Sequence, residues 1–170
     1  MRKIFFLLLI VSLVFACRSL NGLVTENKQP VTINLFLRQP FGESETVASL
    51  KKQFSKDVKL KRMIRRNKHD LQKVDTIFQF YYRKSEVFVY KTYFNREMLF
   101  GGVITDNKFP LINGVTPGMK RDSFFKSFKD LDMNQRDSIS LYNKELSRKF
   151  IFIFDSKGIL KKIDFSPYVD

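Results

Sequence analysis

Few residues in this chain are of a type that does chemistry. Cys17 is the only cysteine and His69 the only histidine, so a metal site of thiolates and imidazoles lacks ligands. His69 sits in Asn67-Lys68-His69-Asp70, with cations beside it and no serine or cysteine that the sequence pairs with it. That is the setting of a solvated loop histidine rather than of a general base. Asp130-Leu131-Asp132 has the spacing of the start of a calcium loop, but Met133-Asn134-Gln135-Arg136 supplies neither the glycine turn nor a distal Glu. No glycine loop cradles a phosphate and no dinucleotide fingerprint is present. The expectation is a protein that is not an enzyme and takes no metal or cofactor.

Cys17 has a different setting. Arg2 and Lys3 precede an apolar run from Ile4 to Val14, broken only by Ser12, and Leu13-Val14-Phe15-Ala16 leads directly into the cysteine. The run is shorter than the roughly 20 apolar residues that span a bilayer. Its layout is that of an export signal. It resembles the bacterial lipoprotein signal, in which the cysteine is lipidated and becomes the first mature residue. An ordinary signal with an incidental cysteine is the competing reading, disfavoured by Phe15 close to the cleavage point. Residues 1–16 are thus expected to be a signal peptide, Cys17 the lipidation site, and 17–30 a flexible tether that is polar, aperiodic and ended by Pro30. A single domain is expected over 31–170, roughly 150 residues with a core of its own. With no second cysteine it has no disulfide, and its stability rests on burial.

The remaining feature is charge. Lys and Arg number 31 against 17 Asp and Glu, a net charge of +14. The segment 56–73 concentrates it, with Lys56, Lys59, Lys61, Arg62, Arg65, Arg66, Lys68 and Lys73 against Asp57 and Asp70. Beside Tyr81 and Tyr90, such a run in a cytoplasmic protein points to nucleic acid. The export signal points instead to lipid headgroups, lipopolysaccharide phosphates or acidic protein surfaces. Lys59, Lys61, Arg62, Arg65, Arg66 and Lys68 are the candidate anion-binding residues. Near an anionic membrane each contributes about 1 kcal/mol at low salt. A solvated, solubilising face is the bland alternative.

These residues must be held by a scaffold. Val31–Leu37 alternates as a strand, with Leu35 inward, and Ser44–Phe54 reads as a helix capped by Ser44. The basic segment fits either a frayed helix, which would put Arg62, Arg65 and Arg66 on one side, or a loop with a short strand. Ile77–Tyr82 and Glu86–Lys91 form a hairpin, and Met98–Asp106 a third strand whose Gly101-Gly102 signals a bulge. Lys120–Lys129 reads as a second helix, with Phe124, Phe125 and Phe128 on its apolar side. Ser138–Tyr142 is a short strand, and Lys149–Phe154 with Ile159–Phe165 is a last hairpin turned at Gly158. The expected core is Leu35, Phe54, Phe78, Phe80, Val87, Ile104, Phe124, Phe128, Phe152, Phe154, Ile159 and Ile163. Sliding the chain on itself by about 72 residues superposes the two hairpins, and by about 74 the two helices. The expected fold class is α+β: two tandem helix-plus-antiparallel-hairpin units, helices packed on one face of an antiparallel sheet.

Gly114-Val115-Thr116-Pro117-Gly118-Met119-Lys120-Arg121-Asp122-Ser123-Phe124-Phe125 resembles the glycine–methionine helix start of small outer-membrane-assembly lipoproteins of the BamE/SmpA type. The strand pair Phe150–Phe154 and Gly158–Phe165 resembles the end of that family's repeat, and two such units look like the β-lactamase-inhibitor-protein-like architecture. The whole chain, to Ser166–Asp170, is similar to lipoproteins of Bacteroidota. The resemblance implies a non-catalytic, protein- or envelope-binding role; with the export signal, the expectation is a protein lipid-anchored through Cys17 that binds a partner protein in the envelope and not nucleic acid. It carries over no partner-contacting residue, because the matched positions are scaffold. Direct binding of anionic lipid or glycan by residues 56–73 is the alternative function.

Overall fold

Period-two runs of Phe, Ile, Val and Tyr between turn residues make this chain a sheet. A computed structural model describes residues 29–42, 44–66, 70–132 and 138–167. The signal, Cys17, most of the tether, Lys68 and His69 lie outside the described residues. The strands are β1 (Lys59–Arg66), β2 (Val74–Tyr82), β3 (Ser85–Lys91), β4 (Glu97–Ile104), β5 (Ser138–Asn143), β6 (Arg148–Phe154) and β7 (Leu160–Pro167). They form one antiparallel sheet in the order β1-β2-β3-β4-β7-β6-β5. Two meanders, β1–β4 and β5–β7, therefore meet where β4 pairs with β7. Gly158, at φ +72°, turns β6 into β7, and Asp155 Oδ1 secures the turn by accepting from the N–H groups of Lys157 (3.0 Å) and Ile159 (2.9 Å).

Among the described residues three short helices accompany the sheet: α1 (Ile33–Arg38), α2 (Val47–Gln53) and α3 (Arg121–Lys126). Helices of six or seven residues do not stand alone in water. The first two are capped by Thr32 and Thr46, whose hydroxyls accept from Leu35 and Ser49 N–H. Each also receives a carboxylate from far along the chain. Asp130 Oδ1 accepts from Ile33 N–H (2.8 Å) and Glu97 Oε2 from Val47 N–H (2.8 Å). Both place negative charge at a helix N-terminus, where the unpaired N–H groups and the dipole favour it.

Phenylalanine fills the core in two clusters on one face of the sheet. Phe36 meets Phe128 and Phe150 at 5.4 and 5.0 Å between ring centres, and Phe124 meets Phe152 at 4.7 Å. Phe54 meets Phe41, Phe80 and Phe109 at 5.2, 5.2 and 4.9 Å. Phe165 joins the clusters, stacking on Phe150 (5.0 Å) and reaching Phe41 (6.1 Å). Much of the cover is irregular chain, which inserts Phe41, Phe109, Leu111 and Val115.

Two tandem helix-plus-hairpin units are not what the chain builds. Among the described residues the fold is mostly a seven-stranded antiparallel sheet, 44% strand and 15% helix. Of the described residues, the first half carries two helices and four strands, the second one helix and three strands. Residues 31–37 are not a strand: Ile33–Arg38 is α1, so Leu35 turns outward and Phe36 and Leu37 are buried. Phe78 and Ile159 are half-buried; Leu160 is the residue of that turn that enters the core. The other nine expected core residues are buried or, for Phe54, Phe128 and Phe154, nearly so. The basic segment is a strand, β1. A bulge does interrupt the β3–β4 pairing, between Phe88 and Val89, opposite Leu99–Gly101.

Arg148, at the start of β6, ties this cover down. Its Nη1 donates to Glu45 Oε1 (2.8 Å) and to the carbonyls of Leu37 and Arg38 (both 3.0 Å), and Nη2 also donates to Glu45.

Two predictions follow from this packing. A Cβ at Gly102 would sit 2.4 Å from the Glu86 carbonyl oxygen and 2.6 Å from the Phe165 ring. Gly102→Ala should therefore cost about 1–3 kcal/mol or more, read as a lowered denaturation midpoint. An unchanged midpoint would show that β4 and β7 do not meet there. Arg148→Met should cost about 3–5 kcal/mol near neutral pH, because it strands a largely buried carboxylate. Burial already pushes the Glu45 carboxyl above its ordinary value, with the Arg148 hydrogen bonds and charge pulling it back down. A raised folded-state value contributes stability that is full below the unfolded-state value and lost as pH rises through the folded one. Without Arg148 the carboxyl climbs further, so the variant's deficit should shrink on going from about pH 7.5 to about pH 4.5. Equal deficits at both would rule out Glu45 as the cause.

Candidate functional site

β1 is an edge strand, paired with β2 on one side only. Its sequence, Lys59-Leu60-Lys61-Arg62-Met63-Ile64-Arg65-Arg66, has apolar residues too sparse to bury a face. Every residue but Met63 is exposed. The register puts Lys59, Lys61, Met63 and Arg65 opposite Tyr81, Gln79, Ile77 and Asp75. These lie on the face that none of the three helices covers. Leu60, Arg62, Ile64 and Arg66 stand opposite Phe80, Phe78, Thr76 and Val74 on the helix-bearing face. The core layer ends before it reaches β1, leaving Ile64 66% and Val74 47% exposed. The cations thus flank the edge on both faces. They do not converge on one side, as a helical segment would have made Arg62, Arg65 and Arg66 do.

The segment's two acids are engaged outside β1. Asp57 pairs with Lys108 (2.5 Å) and Asp70 with Lys73 (2.9 Å), whose ammonium also lies 4.5 Å from the Tyr93 ring centre. Both carboxyls are held below their ordinary value, chiefly by those lysine hydrogen bonds. Asp75, opposite Arg65, accepts from Tyr90 Oη and from Tyr93 N–H (3.0 Å). Among the described residues, Lys59, Lys61, Arg62, Arg65 and Arg66 form no ion pair. They are therefore the described part of the sequence-derived anion site, brought together along one strand. Lys68 lies outside the described residues. Tyr81 and Tyr90 are half-buried sheet residues rather than freely exposed rings.

Two depressions flank this edge and the sheet centre. One, of about 380 Å³, is lined by Arg62, Thr76, Phe78, Lys91, Tyr93 and Asn95. The other, of about 390 Å³, opens beside β4 and is lined mainly by Leu99, Phe100, Phe150, Phe165 and Pro167. Neither brings together an acid, a base and a nucleophile. No cluster of three or more His, Cys, Asp or Glu side chains suited to a metal occurs among the described residues. Asp130 of the candidate calcium loop is the acceptor at the start of α1. Among the described residues no helix is long and apolar enough to cross a membrane.

Compared with known proteins, the chain matches no family model, no curated protein and no solved structure. Function is therefore read from the surface itself.

The edge cations were visible as composition; their place on a strand was not, because a strand exposed on both faces shows no alternation. The usable signal was Asp70, a turn former ahead of β2, whose carbonyl accepts from Lys73 N–H (3.0 Å) and whose side chain accepts from Gln72 N–H (3.1 Å). Since no carboxylate holds these cations, Arg62→Glu, Arg65→Glu and Arg66→Glu together should change stability by no more than about 0.5 kcal/mol per site. A large drop in the thermal midpoint would show that they are structural.

Proposed function

We propose that the protein is a non-catalytic interaction module, held at the cell envelope by lipid on Cys17, whose binding element is the open edge β1. The observation that carries this reading is the strand itself: an edge bearing five exposed cations that form no ion pair among the described residues. Such an edge offers a partner both backbone hydrogen bonds and charge. The export-type segment and the resemblance to small envelope lipoproteins support the location.

A second reading has its own observation. Ile64, Leu71 and Val74 are exposed at 47–71% close to Arg62, Arg66 and Lys73 in the chain or register, and exposed Phe94 packs on Tyr93, over which the Lys73 ammonium lies. Apolar and basic residues together suit an anionic lipid surface.

Two measurements check the proposal. Mass spectrometry of protein made in a bacterial host should show loss of residues 1–16 and acyl mass on Cys17, with Cys17→Ser unacylated; a product without lipid removes the anchor. A photo-crosslinking residue at Met63 should give adducts with a discrete envelope protein in the expressing cell, whereas one at Ser140 on β5 should not. Adducts with lipid alone would favour the second reading. Equal adducts from both positions would remove β1 as the binding element.

A further inference from the structure

We infer that the edge β1 receives an acidic, extended polypeptide segment, which adds to the sheet as an eighth strand. This rests on the reading of β1 as the binding element and names what binds it. An edge strand leaves the N–H and C=O groups of alternate residues without a strand partner. An added strand would satisfy them about 4.8 Å away. At that distance its side chains alternate between the faces and stand beside those of β1. On one face they meet Lys59, Lys61 and Arg65; on the other, Arg62 and Arg66. Acidic side chains on both faces of the incoming segment are therefore matched, which a flat anionic surface touching one face cannot achieve.

The charge also selects against the commonest wrong partner. A second copy of β1 would set cations directly opposite cations, which is unfavourable across a strand pair. The edge is closed to self-pairing and open to an acidic strand. Edge protection alone does not account for this distribution. The opposite edge strand, β5, carries no charged residue across Ser138–Asn143. Leu60, Met63 and Ile64 supply apolar contact between the charges, so the matching segment mixes Asp or Glu with β-branched residues.

The test uses the full mature chain and a labelled peptide of about eight residues, half Glu and half Val or Thr. Its control is the same peptide methylated at the backbone nitrogens, equal in charge but unable to donate to an edge. The parent protein should bind the first peptide and bind the methylated one roughly tenfold more weakly or worse. Amide exchange in β1 should slow on binding. Lys61→Glu, Arg62→Glu and Arg65→Glu together should abolish binding and create affinity for the Lys counterpart of the peptide. Equal binding of both peptides would overturn strand addition and leave only charge attraction at β1. Binding to phosphatidylglycerol vesicles, lost in the charge-reversed variant, with no peptide binding, would make a lipid surface the occupant. Peptide failure alongside protein adducts from Met63 would overturn the acidic strand while the edge reading stands. Absence of both would overturn the edge reading as well.

Discussion

The approach of Phe165 to Gly102 is the constraint on which the sheet depends. β4 and β7 are matched at only three pairs, Gly102–Phe165, Val103–Asp164 and Ile104–Ile163, yet this short seam makes two meanders into one sheet. With no side chain at Gly102, the Phe165 ring lies over the β4 backbone. From there it touches both phenylalanine clusters. The seam and the union of the two clusters are therefore one event, and neither meander has a complete core without it. With one cysteine in the chain and only short helices among the described residues, little else holds the two meanders together.

The helices are consequences of that sheet rather than partners in building it. None exceeds seven residues, and the nucleation cost of so short a helix is met by tertiary contacts. Asp130 and Glu97 reach the N-termini of α1 and α2 only when β-structure has brought them there. Arg148 performs the complementary task, gripping the C-terminal end of α1 through two carbonyls and the chain ahead of α2 through the Glu45 carboxylate. Breaking a buried pair of this kind strands a charge, which makes the end of α1 and the approach to α2 conditional on β6 being in place.

This dependence explains what could be read in the sequence and what could not. Strands β2 to β7 were legible, because one face of each is buried and turn residues such as Gly158 and Asn95 punctuate them. Val31–Leu37 was misread because its apolar residues fit period two as well as a helical turn. The deciding interaction is a hydrogen bond to Asp130, far along the chain. The same ambiguity put Leu35 in the core in place of Phe36. Self-similarity between the two hairpins was real as a pattern of Phe but did not specify two equal units. The seam at Gly102 was visible only as a glycine pair. Of the candidate site, the cations were plain and their geometry was hidden. Asp70 pairs locally with Lys73, three residues on, but the ion pair of Asp57 with Lys108, which also leaves β1 uncompensated, joins residues whose proximity only the fold decides.

Leaving β1 uncompensated has a definite cost and a definite use. Five like charges on eight residues repel one another, but each side chain is in water and exposed charges are screened within about 8 Å at physiological salt. The domain tolerates them because the core ends at β2 and nothing apolar must be buried against them. What screening does not remove is the short-range contest at the edge itself, where a neighbouring strand sits within 5 Å. There, sign decides the outcome. A cationic neighbour is refused, a neutral one gains only backbone hydrogen bonds, and an acidic one gains both terms. The same residues thus keep an otherwise exposed edge from joining its own kind and give it a preference among other chains.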